Sequence, residues 1–156
     1  MTTASFHTEA LSSALWSELM PLLQRHYDEI APWKDIPLAP DFERYEKLAE
    51  MGALRIHTAR DPSWALIGYH ASIVMRGLHY RTMIMATQDV LWLAPEHRHS
   101  RIGSDLLTYA EGLLRAEGVT VLMQHTKVTP GHDLGPYLMR RGYKPADMIY
   151  AKRLDT

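Results

Sequence analysis

Asp89-Val90-Leu91-Trp92-Leu93-Ala94-Pro95-Glu96-His97-Arg98-His99-Ser100-Arg101-Ile102-Gly103-Ser104 decides the fold, and it runs on into Asp105-Leu106-Leu107-Thr108-Tyr109-Ala110-Glu111. An apolar run that stops at a proline has the form of a strand. Leu106, Leu107, Ala110, Leu113 and Leu114 then recur at helical spacing on one stripe. The order is strand, loop, helix. The loop carries two arginines at the point where a helix leaves several N–H groups without internal partners and its dipole adds partial positive charge. Such a place binds phosphate.

Toward the C-terminus the helix is expected from about Ile102 to Glu117, stopping at Gly118. Val119 to His125 reads as a short strand, parallel to the one before because a helix separates them. Asp133 is expected to cap a last helix, Leu134 to Arg141, that stops at Gly142, and Met148 to Leu154 is expected to close the sheet. Toward the N-terminus, Thr82 to Leu93 is long enough to be a strand with a bulge. It is joined through Arg76 to Arg81 to an apolar run from Trp64 to Met75. The Asp61-Pro62-Ser63 turn precedes that run, and Leu54, Ile56 and Thr58 alternate with Arg55 and His57, so these are antiparallel strands. A helix from Asp41 as N-cap through Phe42, Tyr45, Leu48 and Ala49 ends at Gly52. Prolines 32, 37 and 40 make residues 31–40 an extended loop. Leu11, Leu15, Leu19, Leu22, Leu23 and Tyr27 predict a helix within residues 10–30, kinked or broken near Met20 by Pro21.

Arg98-His99-Ser100-Arg101-Ile102-Gly103 resembles the Arg/Gln-x-x-Gly-x-Gly/Ala segment with which the GNAT acetyltransferase superfamily cradles the pyrophosphate of acetyl-coenzyme A. Arg101 stands where the first glycine of that pattern sits. It would be strained if the site needs a positive φ, or it turns in an ordinary helical conformation with its guanidinium open to phosphate. The element order also resembles the superfamily, with a first strand that is very short, within Thr3 to Thr8, or missing. Arg141-Gly142-Tyr143-Lys144 resembles the usual end of its last helix. His26-Tyr27-Asp28-Glu29-Ile30 with residues 36–45 resembles short members encoded by tailed bacteriophages. The fold so implied is α+β, a single GNAT domain over 1–156 with a mixed, mostly antiparallel sheet and helices on both faces.

The resemblance implies an N-acetyltransferase that moves an acetyl group from acetyl-coenzyme A directly to a primary amine. The alternative it leaves is a non-catalytic module that binds acyl-coenzyme A or a host protein. The cofactor-binding set it implies is Leu91, Trp92 and Leu93 along the pantetheine arm, with Arg98, His99, Ser100, Arg101, Ile102, Gly103 and Ser104 around the pyrophosphate. The superfamily's base glutamate would fall near Thr87, which cannot take a proton. Strand alternation puts Asp89 on the same face as Thr87, Leu91 and Leu93, making it the first candidate base or amine-binding group, with His26 and Glu29 next. The superfamily's tyrosine acid would fall at Leu138. Tyr137 is one residue off, about 100° around a helix, and water or His132 are the other proton donors considered. Trp33 is a candidate pocket wall.

The chain has 156 residues, no cysteine and a net charge of −1 with a pI near 6.8. One domain with a genuine core fits that length. A cysteine nucleophile, a disulfide framework and thiolate metal ligation are excluded. His97 and His99 lack a clear third ligand at metal spacing, so no metal is expected. Near-neutral charge gives no general attraction to nucleic acid. The basic residues Arg140, Arg141, Lys144, Lys152 and Arg153 read as a solvated face. No apolar run is long enough to span a bilayer, and Met1 to His7 lacks the form of a signal peptide, so a cytoplasmic protein is expected, in the host cytoplasm if phage-encoded. The expected partner is a small-molecule or protein amine acceptor; a homodimer is left open.

Overall fold

The computed structural model describes residues 3–129 and 131–155; Met1, Thr2, Pro130 and Thr156, including the start of the stretch read for a signal peptide, lie outside the described residues. The chain divides into two compact units, the first ending at Gln124 and the second starting at His125.

The first unit holds a five-stranded sheet in sequence order, β1 (Ser5–Thr8), β2 (Leu54–Arg60), β3 (Leu66–Arg76), β4 (Ile84–Leu93) and β5 (Val121–Met123). Every pairing is antiparallel except β4 with β5, which the crossover helix α3 (Ile102–Ala116) makes parallel. This is the α+β fold expected. The short first strand is present.

The helices α1 (Ser13–Ile30) and α2 (Phe42–Glu50) cover one face of the sheet. Leu15 and Leu19 of α1 pack there on Leu54, Ile56, Tyr69, Ala71 and Trp92. On the other face, Ile102 and Leu106 of α3 pack on Ala59 and Ile67, with Leu91 and Leu93 beside them. Asp41 caps α2 by accepting the Arg44 N–H at 3.0 Å, and Gly52 follows at φ +67°, a left-handed conformation that glycine adopts without a steric penalty. Ser12 caps α1 in the same way through Leu15.

Two helix expectations need comment. Of the kink or break expected at Pro21, the break is absent: α1 runs unbroken for 18 residues. The carbonyl that proline leaves without a donor belongs to Ser17, and both residues lie on the exposed face, where water can replace the lost bond. Asp133 is also not the N-cap of the last helix, α4 (Gly135–Arg140). Leu134 holds that position, although Asp133 Oδ1 accepts the Gly135 N–H at 2.7 Å.

The second unit contains α4 and an extended tail. Residues 148–154 form no strand, contrary to expectation. The Tyr150 hydroxyl reaches Met148 Sδ, and Arg153 pairs with Asp155. Met148, Ile149 and Tyr150 are exposed at 74%, 78% and 86%, so the apolar run that predicted a buried strand buries little. A strand needs a neighbour's ladder, and apolar composition alone does not supply one.

Candidate functional site

The loop between β4 and α3 is held from the α1 side. Glu29, near the end of α1, accepts two hydrogen bonds from the Arg98 guanidinium, at 2.5 and 2.7 Å, and a third from the Trp92 indole at 3.0 Å. Arg25, one turn earlier, pairs with Glu96 at 2.9 Å, and both Arg25 and Arg98 stand over the Trp92 ring. Arg98 also donates Nε–H to the Leu93 carbonyl at 2.8 Å. Two members of the expected site are therefore partners in a clamp: Arg98 fixes the loop, and the Glu29 carboxylate is occupied by Arg98 and Trp92.

The clamp presents the start of α3. Arg101 sits at φ −82°, ψ −6°, ordinary helical backbone, so arginine carries no positive-φ strain here. No side chain caps α3. Ser100 Oγ accepts the Ile102 N–H at 3.2 Å and donates to the His97 carbonyl. The main-chain amides of Arg101 and Gly103 have no acceptor among the described residues. The Arg101 side chain is 89% exposed, 3.8 Å from Asp105, and His99 is also exposed. Ser104 lies in the first turn, which thus offers N–H donors, the positive end of the helix dipole and an exposed guanidinium to an anion.

β4 leads into this loop and carries a bulge. Ala71 lies opposite Val90 and Ser72 opposite Gln88, which leaves Asp89 as the extra residue. The bulge overturns the expected alternation. Val90 and Trp92 take the α1–α2 face, whereas Leu91 and Leu93 pass to the α3 face. Asp89 remains on the α1–α2 side, hydrogen-bonded to Tyr45 of α2 at 2.6 Å.

β5 pairs with β4 only at Met85, Ala86 and Thr87. Beyond that fork, no described strand flanks residues 90–93 on the side away from β3. The Ala94 N–H donates to Ile67 of β3, so by strand alternation Val90 and Trp92 turn their backbone to β3 and Leu91 and Leu93 turn theirs outward. Trp92 is therefore not part of the outward edge. The Leu93 carbonyl is taken by Arg98, which leaves the Leu91 N–H and C=O and the Leu93 N–H facing the opening.

A cavity of about 30 Å³ lies between α1, α2 and the sheet, lined by apolar side chains including Leu11, Trp16, Leu23 and Val90, with Tyr45 and Asp89 among them. Trp33 is not in this wall; Trp16 is. Trp33 sits in the proline-rich loop, which the Tyr27 hydroxyl and the Lys34 ammonium staple to the end of α1. Burial, followed by the neighbouring Asp89 carboxylate, pushes the Tyr45 phenol well above its ordinary range, so it stays a neutral donor. His26 bonds the Tyr69 hydroxyl at 3.2 Å on the same face.

Tyr137 belongs to the second unit. Its hydroxyl is buried with no partner among the described residues, and Arg141 stands over its ring at 5.8 Å. No three described His, Asp or Glu side chains are grouped so as to hold a metal ion, and no described helix is long and apolar enough to cross a membrane.

Sequence reasoning missed Tyr45 as the partner of Asp89, because its spacing with Phe42 and Leu48 reads simply as core. It also missed the clamp, since Glu29 and Arg98 are 69 residues apart and nothing local couples them.

No family model and no curated protein matches the sequence. Solved structures do. An aminoglycoside acetyltransferase, HMB0005, from an uncultured soil metagenomic sample superposes with a TM-score of 0.76 at 13% identity, over 99% of each chain. A second from such a sample, meta-AAC0020 in complex with sisomicin, gives 0.67 at 18% identity over 98% of this chain and 95% of that one. The ribosomal-protein-alanine N-acetyltransferase of Brucella melitensis biovar Abortus 2308 gives 0.70 at 18% identity over 97% and 99%. The chain therefore has the GNAT acetyltransferase fold.

Proposed function

We propose that the protein is an acetyl-coenzyme A dependent N-acetyltransferase acting on a primary amine by direct transfer. The observation that carries this reading is the continuity of two features. The start of α3 keeps amides without acceptors at Arg101 and Gly103, and the β4 edge beside it keeps Leu91 and Leu93 turned outward beyond the fork. A diphosphate fits the first and an extended amide-bearing arm fits the second, as an added strand does. The Leu91 N–H is the candidate donor to the thioester oxygen.

In this reading the ammonium loses one proton to Asp89 or water, and the neutral nitrogen attacks the thioester carbonyl. The C–S bond then breaks as the C–N bond is completed, and the second nitrogen proton ends on the departing sulfur. Without cysteine, the acetyl group has no thiol on the chain to rest on. The resemblance of residues 26–45 to short bacteriophage-encoded acetyltransferases belongs to the same proposal.

The second reading is a module that binds acyl-coenzyme A or a host protein without turnover. It is favoured by the occupation of Glu29 in the clamp, which removes one candidate base. Calorimetry with coenzyme A, followed by thiol release from acetyl-coenzyme A across an amine panel, separates the two. Binding with amine-dependent thiol release is expected. Binding with no release on any amine favours the module, and no binding removes both.

A further inference from the structure

Asp89 is a carboxylate with no cation beside it among the described residues. It projects from the bulge at the edge of a cavity, its one hydrogen bond comes from the neutral Tyr45 phenol, and none of the ion pairs among the described residues includes it. The other side chains in the cavity wall are apolar apart from the hydroxyls of Tyr45 and Tyr69 and the Trp16 indole N–H, and the Tyr69 hydroxyl is engaged by His26. A polycation meets several carboxylates in a site built for it, whereas this wall has one. A polar acceptor body would lose its hydrogen bonds to water against Leu11, Leu19, Leu23 and Val90. At about 30 Å³ the space takes no more than about two waters, or a short chain of carbons in their place.

We propose that the acceptor is a small monoamine on a short alkyl body, its ammonium paired with Asp89 and its carbons in the cavity beneath α1 and α2. This rests on the acetyl-transfer reading and names the class of amine that serves it. Charge complementarity fixes one end of the acceptor and apolar walls fix the other.

The test compares n-propylamine with ethanolamine, which has the same number of heavy atoms but a hydroxyl in place of the methyl, and with the polycation sisomicin. Thiol release at saturating acetyl-coenzyme A reads the reaction, and the cysteine-free chain adds no thiol of its own. Propylamine is expected to exceed ethanolamine in kcat/KM by about tenfold or more, with sisomicin below both. Asp89→Asn keeps an acceptor for Tyr45, and is expected to raise the KM for propylamine about tenfold while coenzyme A affinity, read by calorimetry, changes less than about twofold. Equal or better use of ethanolamine or sisomicin overturns the acceptor class and leaves acetyl transfer standing. An unchanged KM in Asp89→Asn overturns the role of the carboxylate. Failure to bind coenzyme A overturns the proposal together with the reading beneath it.

Discussion

On the face of the sheet under α1 and α2, Leu54, Ile56, Tyr69, Ala71 and Trp92 form an apolar core whose charged groups are paired or sit at its edge. On the face under α3, an apolar cluster beneath Ile102 and Leu106 lies beside a buried polar group. That group places His57 opposite His70 and Arg55 opposite Ser72, with His57 and His70 stacked at 5.9 Å and fully buried. Thr8 bonds His57 Nδ1 and Gln124 bonds His70 Nε2, but His57 Nε2, His70 Nδ1, Ser72 Oγ and Gln124 Oε1 have no partner among the described residues. The first face is built for packing around a cavity. The second holds neutral polar groups at a desolvation cost, directly beneath the helix that presents the anion site.

The largest expected effect breaks the second face with acid. Burial pushes both His57 and His70 down from 6.5 to about 4, helped at His70 by its neighbour His57. Arg55 and Glu117 act on His57 with opposite signs, and Tyr109 of α3 meets its ring edge-on. Because the folded value lies below the unfolded one, the unfolded chain binds more protons between them. The stabilisation is complete above pH 6.5 and is lost as the pH falls toward 4, by about 3 kcal/mol per histidine. Urea unfolding from pH 7.5 to 4.5 should show that loss, and His57→Phe with His70→Phe should flatten it. A wild-type profile as flat as the double variant would contradict the buried neutral pair.

The first face has its own weak point in Arg60, which is 1% exposed and joins Glu9, Glu18 and the Trp64 carbonyl. Its guanidinium also holds the Glu9 carboxyl below the usual range. Arg60→Ala should cost about 3–5 kcal/mol in urea unfolding, since it strands Glu9 partly buried. Less than about 1 kcal/mol would mean the network is solvated.

Smaller effects sharpen the rim where the faces meet. Glu29→Gln should cost about 1–3 kcal/mol by weakening the bonds from Arg98 and Trp92, and should lower coenzyme A affinity because the loop is less fixed. A normal affinity with reduced kcat would instead assign Glu29 a direct chemical role. Arg101→Ala should weaken coenzyme A binding only by about three- to tenfold, with a shallower salt dependence, because the side chain is exposed. An unchanged affinity would leave the main-chain amides as the whole of the anion site.

Much of this was legible in the chain. The change from helical to alternating spacing after Gly52 located the sheet, and Asp41 and Gly52 marked the ends of α2 through local backbone chemistry. The bulge was legible only as excess length in β4: its position depends on which residues of β3 pair with which of β4, a long-range choice that periodicity does not carry. Asp89 was found, but its company was not, since Tyr45 comes from 44 residues earlier. Met148 to Leu154 was misread because apolar composition looks the same whether or not a ladder forms.

Backbone amide NMR of the protein titrated with coenzyme A reads the groove formed by β4 and the start of α3. The resonances of Arg101 and Gly103 are expected to shift together with those of Leu91 and Leu93, while Trp92, bonded to β3, moves least among the three β4 residues. Saturable binding that leaves those four amides where they were, or shifts that appear elsewhere on the chain, would contradict that expectation.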